Sequence, residues 1–121
     1  MKNKPVNLKE KLAKFSDHWA PRVIAEMNDY QFKLVKLKGE FVWHTHEQTD
    51  ETFFVIRGKM SIAFRDRHVK LSEGDLFVVP KGRPHQPSAT DECEVLVIEP
   101  GDVVNTGDAE SELTAENDVW I

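Results

Sequence analysis

The chain has 121 residues, 40% hydrophobic and 31% charged, which suits one globular domain built around a single core. Its net charge of -5 leaves no excess of cations to neutralise phosphates, so nucleic acid is not an expected partner. No apolar run reaches the roughly 18 residues of a membrane span, and the opening MKNKPVNLKEKLAKF is basic without an apolar stretch behind it, so neither a membrane nor a secretory signal is expected.

In the first 20 residues, Leu8, Leu12 and Phe15 recur at spacings of four and three, which predicts a short amphipathic helix. Asn7 can cap its first turn, and Glu10 completes a box-like pattern. Pro21 marks the boundary with the next element. From there to residue 99 the pattern becomes β-like, with predicted strands at 22–27, 30–37, 40–46, 52–57, 59–65, 68–71, 75–79, 85–89 and 93–99. Asn28-Asp29, Lys38-Gly39, Gly58, Glu73-Gly74 and the stretch from Pro80 to Pro84 supply turns between many of them. Short strands at close spacing, without helix-length crossovers, predict an all-β antiparallel sandwich or barrel. The tail, 101–121, is polar and acidic until Asp118 and then ends Val119-Trp120-Ile121. Two large apolar residues at that end argue against a disordered tail. Cys93 is the single cysteine and sits in an apolar run; it reads as a buried free thiol, and a lone thiol suits a cytoplasmic location.

The sharpest feature is His44-Thr45-His46. On a strand, alternate residues share a face, so the two imidazoles point the same way and make half a metal site. Glu51 follows the polar turn Glu47-Gln48-Thr49-Asp50, which lets the chain reverse and return a carboxylate toward the imidazoles. His85 follows the turn-rich Pro80-Lys81-Gly82-Arg83-Pro84. Three neutral nitrogens and one carboxylate leave open positions on a six-coordinate ion, as a working site requires.

With these residues in place the sequence resembles the cupin superfamily, in particular its small single-domain bacterial members, often grouped as mannose-6-phosphate isomerase-like. The first cupin motif reads here as Gly39, His44, His46, Glu51 and Gly58, with the gap from Gly39 to His44 one residue short of the common form. The second reads Gly74, Pro80, Gly82 and His85, with Ala89 where the motif carries Asn. The resemblance covers about residues 30 to 99. It implies a double-stranded β-helix, or jelly roll, with the metal inside; the residue pattern puts this barrel at 21–100, between the arm 1–20 and a tail, 101–121, packing on the barrel or on a partner. It also implies that His44, His46, Glu51 and His85 bind one divalent transition metal: Mn, Fe, Ni, Co or Zn.

Strand parity puts Val42, Phe53 and Val55 on the ligands' face, and the run Leu76 to Val79 adds apolar lining whichever face looks in. Such a pocket suits a small, partly apolar or aromatic molecule. A sugar phosphate would want several inward cations, and at most Arg57 or Lys33 is available, Arg57 being read as reaching solvent at its strand end. His68, His18 and Tyr30 are read as surface, linker and packed strand-end residues. The sequence presents no general acid or base beyond the ligands. Two functions follow: a metal-dependent enzyme of oxygenase or isomerase type, or a non-catalytic small-molecule binding or sensing module. A homodimer is also expected, with the terminal segments helping to build its interface. Leu8, Leu12, Phe15, Trp19 and the Val119-Trp120-Ile121 terminus need dry surroundings, while Phe54 and Ile56, together with Met60, Ile62 and Phe64, are read as an outward apolar patch.

Overall fold

The computed structural model describes residues 4–121. One short helix, α1 (Leu8–Leu12), precedes seven strands: β1 (Arg22–Met27), β2 (Tyr30–Glu40), β3 (Glu51–Arg57), β4 (Lys59–Phe64), β5 (His68–Ser72), β6 (Leu76–Val79) and β7 (His85–Pro100). The cap forms as the sequence suggests, with the Glu10 amide donating to Asn7 Oδ1 at 2.9 Å. The helix stops at Leu12, however, so Phe15 reaches the core from the loop that follows.

All strand pairings are antiparallel, in the order β1-β2-β7-β3-β6, with β4 joining β7 on one side and β5 on the other. β7 organises the barrel. Its first part pairs with β4 and with the end of β2, and its second part lies between β2 and β3. One strand serving two sheets closes the double-layered wall of a jelly roll. Residues 85–89 and 93–99 therefore belong to one strand rather than two, and the exposed Thr90 to Glu92 stay extended between them. The predicted strand at 40–46 does not form. Beyond Glu40 the chain is held by an isolated bridge between His44 and His85.

The main core fills the barrel with Val35, Leu37, Phe41, Phe53, Val55, Ile62, Phe64, Val95 and their neighbours. Met60, Ile62 and Phe64 belong to this core, so their expected outward placement is wrong. The reason is local. β3 turns its odd-numbered residues inward, but the register slips between Val55 and Arg57. Gly58 then reverses the chain at φ 93°, and β4 emerges with even-numbered residues inside. A Cβ on Gly58 would also come within 3.0 Å of the Glu92 carbonyl oxygen.

A second core lies on the outer face, where Leu12 and Phe15 cover Ile24 and Leu34, with Leu8, Phe32, Ile56, Leu96 and Ile121 packed around them. The arm and the tail thus find dry surroundings on their own barrel. Val23 and Trp120 form a parallel bridge, and the Val23 amide donates to the Val119 carbonyl at 2.7 Å. Lys11 Nζ donates to the Ile121 carbonyl at 2.7 Å. Trp19 instead joins the main core, stacked on Phe41 with centroids 4.6 Å apart. The β6 edge keeps apolar surface in solvent, with Leu76 58% exposed and Val78 44% exposed. Among the described residues, no helix is long and apolar enough to cross a membrane.

Candidate metal centre

Four side chains from separate places in the sequence meet inside the barrel. The bridge between His44 and His85 is reciprocal, each amide donating to the other's carbonyl at 3.0 Å. It fixes two imidazoles side by side. His46 lies two residues beyond His44, and its carbonyl accepts from the Gly82 amide at 2.9 Å. Gly82 has φ 78°, a left-handed conformation that suits glycine at this docking turn. Glu51 opens β3 and His85 opens β7. The ligand atoms these four residues offer all lie within 4.8 Å of one another, and all four residues are buried. This is the set the sequence singled out, and the structure brings every member of it together.

The donor set fits a cation. His46 Nε2, His85 Nε2 and Glu51 Oε1 are buried without a hydrogen-bond partner among the described residues. Glu51 Oε1 stands 3.5 Å from His46 Nε2 and 3.4 Å from His85 Nε2. Leaving three such atoms unpaired in a protein interior is costly, and an ion between them would relieve it. The far sides of two rings are anchored. His44 Nδ1 donates to the Val42 carbonyl at 2.9 Å and His85 Nδ1 to the Arg83 carbonyl at 2.8 Å. Donation from Nδ1 leaves the Nε2 lone pair free for a metal.

Electrostatics favour the same protonation states. Burial, followed by the neighbouring His85, lowers His44 to about 4. Burial, followed by His44, lowers His46 to about 3. His85 is lowered chiefly by burial. The imidazoles are therefore neutral at physiological pH, as ligation requires. Glu51 moves the other way, raised by burial to about 7.

A cavity of about 40 Å³ opens on His44 and Glu51 and is walled mainly by Trp19, Val35, Leu37, Phe41 and Phe53. Of the lining expected from sequence, Phe53 is there, whereas Val42 and Val55 pack into the core. In β6, Phe77 and Val79 turn toward the core and Leu76 and Val78 toward solvent. Arg57 does point away from the pocket, its side chain 66% exposed and paired with Glu94 at 3.2 Å. Lys33 points inward and pairs with Glu99 at 2.9 Å, both side chains 2% exposed.

Glu99 is the residue that sequence reasoning missed, because it lines the metal-site cavity without belonging to the expected ligand set. The alternation of Cys93, Val95 and Val97, all buried, would have placed it inside. Burial and the adjacent Glu51 raise its carboxyl well above the usual range, against the opposing pull of Lys33.

The tail packs against the segment that carries two of the ligands. Asp108 Oδ1 accepts from the Thr45 amide at 2.8 Å, and the Asp108 amide donates to the Thr45 carbonyl at 3.1 Å. Between them, Gly107 (φ 56°) has no room for a Cβ, which would collide with the Thr45 carbonyl. Asn105 donates to the Trp19 carbonyl at 2.9 Å and so ties the tail to the arm. A larger open concavity of about 640 Å³ lies between β4, β5 and β7 around Lys59, Lys70 and Ser88, and none of the four converging residues lines it. Elsewhere His68 is exposed, Tyr30 is 41% exposed, and His18 pairs with Glu92 at 2.8 Å near the surface. Cys93 is a buried thiol, raised to about 11 by burial and then by Glu94.

A jelly-roll barrel with three histidines and a glutamate converging inside it defines a cupin-type protein whose side chains can hold a metal. The chain belongs to the cupin domain family, whose pattern matches residues 33–99. It is similar to a cupin-2 domain containing protein from Shewanella frigidimarina NCIMB 400, with 56% identity and a TM-score of 0.78 over 78% of this chain and 93% of that one. Protein NMB1881 from Neisseria meningitidis is 36% identical with a TM-score of 0.74, over 80% of this chain and 99% of that one. The uncharacterized protein YdbB of Bacillus subtilis (strain 168) is 38% identical over 80 residues, 65% of each chain. An uncharacterized protein of Aquifex aeolicus (strain VF5) matches over 53% of each chain, so the match spans about half to two-thirds of these curated relatives. These comparisons reach the cupin family and do not resolve a mannose-6-phosphate isomerase-like group within it.

Proposed function

We propose that the chain is a metal-dependent enzyme that holds one divalent transition ion on His44, His46, Glu51 and His85 and acts on a small, partly apolar molecule. The observation that carries this reading is the set of buried, unpartnered donor atoms facing one another beside an apolar cavity. An ion with imidazole and carboxylate ligands supplies Lewis acidity, or redox chemistry if it is iron or manganese. The chain's own part is to fix the Nε2 lone pairs through the Val42 and Arg83 carbonyls, to exclude water with Trp19, Phe41 and Phe53, and to keep a second carboxyl, Glu99, beside the ligand Glu51.

A sugar phosphate fits poorly. Among the described residues no Lys or Arg lines the cavity, and the buried Lys33 is already paired with Glu99, so no free cation awaits a phosphate there. The non-catalytic alternative is a binding or sensing module, for which the tail clasped to Thr45 through Asp108 offers a segment whose position could report on the ligand set. Anaerobic metal analysis followed by dioxygen-uptake and small-molecule screens separates the two. Turnover that is lost in Glu51→Gln supports the enzyme. Saturable, metal-dependent binding without turnover supports the module.

We further propose that the protein is a cytoplasmic homodimer. The buried lone thiol is compatible with a reducing compartment. The partly exposed apolar row of Leu76, Val78 and Phe54 on the outer sheet offers a face for a second copy.

A further inference from the structure

The cavity beside the metal ligands is almost wholly apolar. Apart from His44 and Glu51, its polar lining side chains are Asn105 and Glu99. Asn105 is fully engaged: its Nδ2 donates to the carbonyls of Trp19 and Leu113, and its Oδ1 accepts from the Ala115 amide, all at 2.9 Å. Glu99 is half engaged. Its Oε2 accepts from Lys33 Nζ at 2.9 Å, while its Oε1 is buried with no hydrogen-bond partner among the described residues. The carboxyls of Glu51 and Glu99 stand as close neighbours. Once Glu51 commits Oε1 to an ion, two carboxylates face a dry space with one acceptor still empty. Without an ion the two carboxyls can share a proton; an ion on Glu51 displaces it, and no other side chain lining the cavity then has a free donor for the empty acceptor, which is costly at that depth.

We propose that Glu99 is the ligand-recognition residue of this pocket, accepting through its free oxygen a hydrogen bond from an O–H or N–H group on a small molecule whose adjacent oxygen or nitrogen sits on the metal. This rests on the metal-site reading and adds to it the chemical class of ligand. Lys33 holds the carboxylate in place and balances its charge. The cavity admits few heavy atoms, since one water needs roughly 10–15 Å³ of such space and about 40 Å³ is present. The part of the ligand that enters this space is therefore a molecule, or a molecular end, of about three heavy atoms with donor and metal-binding atom side by side.

The test uses the Co(II)-loaded protein and two probes of that size, with affinities read from the visible spectrum of the ion. Hydroxylamine carries a metal-binding nitrogen next to an O–H donor, whereas azide binds metals without any donor. The variants are Glu99→Gln and the double change Lys33→Met with Glu99→Leu. The double change replaces the buried ion pair with apolar side chains and so keeps the experiment decisive if a lone change at Glu99 prevents folding. In the double variant hydroxylamine should weaken roughly tenfold or more, the usual worth of a hydrogen bond to a charged group. It should weaken by a smaller factor in Glu99→Gln, whose amide oxygen still accepts. Azide should bind as well or better in both. Hydroxylamine that fails to bind the loaded wild type, or that binds the double variant unchanged, or two probes that shift by the same factor, would overturn the assignment of Glu99 while leaving the metal site standing. A wild-type chain that takes up no Co(II) would overturn both.

Discussion

Acidification separates the groups of the candidate site in an order that sequence alone does not give. From the histidines by themselves, protons should compete with a metal near the ordinary imidazole value of about 6.5. The fold moves that competition elsewhere. His44 is lowered to about 4 and His46 to about 3, both chiefly by burial, so these rings stay neutral well below pH 6. Glu51 is raised by burial to about 7, so below that value the proton a metal must displace is on the carboxylate. A group whose pKa is raised loses metal affinity as pH falls through the raised value, tenfold per unit for one proton. Between pH 7 and pH 5 the apparent affinity should thus fall about 50-fold, equivalent to about 2.3 kcal/mol, with a slope that rises from about one half at pH 7 to one below pH 6. Protonation of His44 should add to the loss near pH 4. The assay is a Zn(II) competition titration against a chromophoric chelator at half-unit intervals, with the chelator's own protonation corrected. Glu51→Gln should bind more weakly at pH 7 and be nearly flat down to pH 5. A wild-type slope of two or three between pH 7 and pH 6 would show that the imidazoles titrate first and refute the reasoning.

Three further outcomes follow from the same structure. Lys33→Met leaves Glu99 buried without its cation and should cost about 3–5 kcal/mol in chemical denaturation, whereas the paired change to Met and Leu should restore most of it; equal stability of the single variant and wild type would contradict the buried ion pair. Gly107→Ala places a Cβ against the Thr45 carbonyl at a left-handed φ and should destabilise by about 1–3 kcal/mol, with faster hydrogen exchange at the Thr45 amide as the sign that the tail has lifted. Light scattering at micromolar concentration should give the mass of two chains, and a monomeric mass would remove the dimer. Because Val119 and Ile121 bond to β1 of their own chain, truncation after Asp118 should lower stability more than it alters that mass.

The candidate site was legible because its signals are local. His-x-His spacing, a polar turn before Glu51, and Pro80-x-Gly82 ahead of His85 each fix a backbone feature that neighbouring residues encode. The fold class was legible for the same reason, since turn residues punctuate apolar alternation along most of the chain. What escaped depends on long-range pairing. Residues 41–46 look like a strand, but beyond Glu40 the chain is anchored by the bridge from His44 to His85. The inward turn of Met60, Ile62 and Phe64 follows from a register slip opposite Glu94, which no local pattern announces. The docking of the tail depends on Asp108 finding Thr45 across 63 residues. Glu99 lay within reach of parity, yet a charged residue at a strand end reads as solvent-facing unless its buried partner, Lys33, is considered with it.

A metal centre requires these four side chains to share one ion. The most direct measurement is anomalous diffraction at the metal edge on a crystal of the metal-loaded protein, supported by elemental analysis of the same preparation. One ion per chain is expected, with a single anomalous peak inside the barrel and donor atoms of His44, His46, Glu51 and His85 about 2.0 to 2.3 Å from it. A preparation that retains no ion at neutral pH, or a peak from which any of these four side chains turns away, would contradict the shared centre.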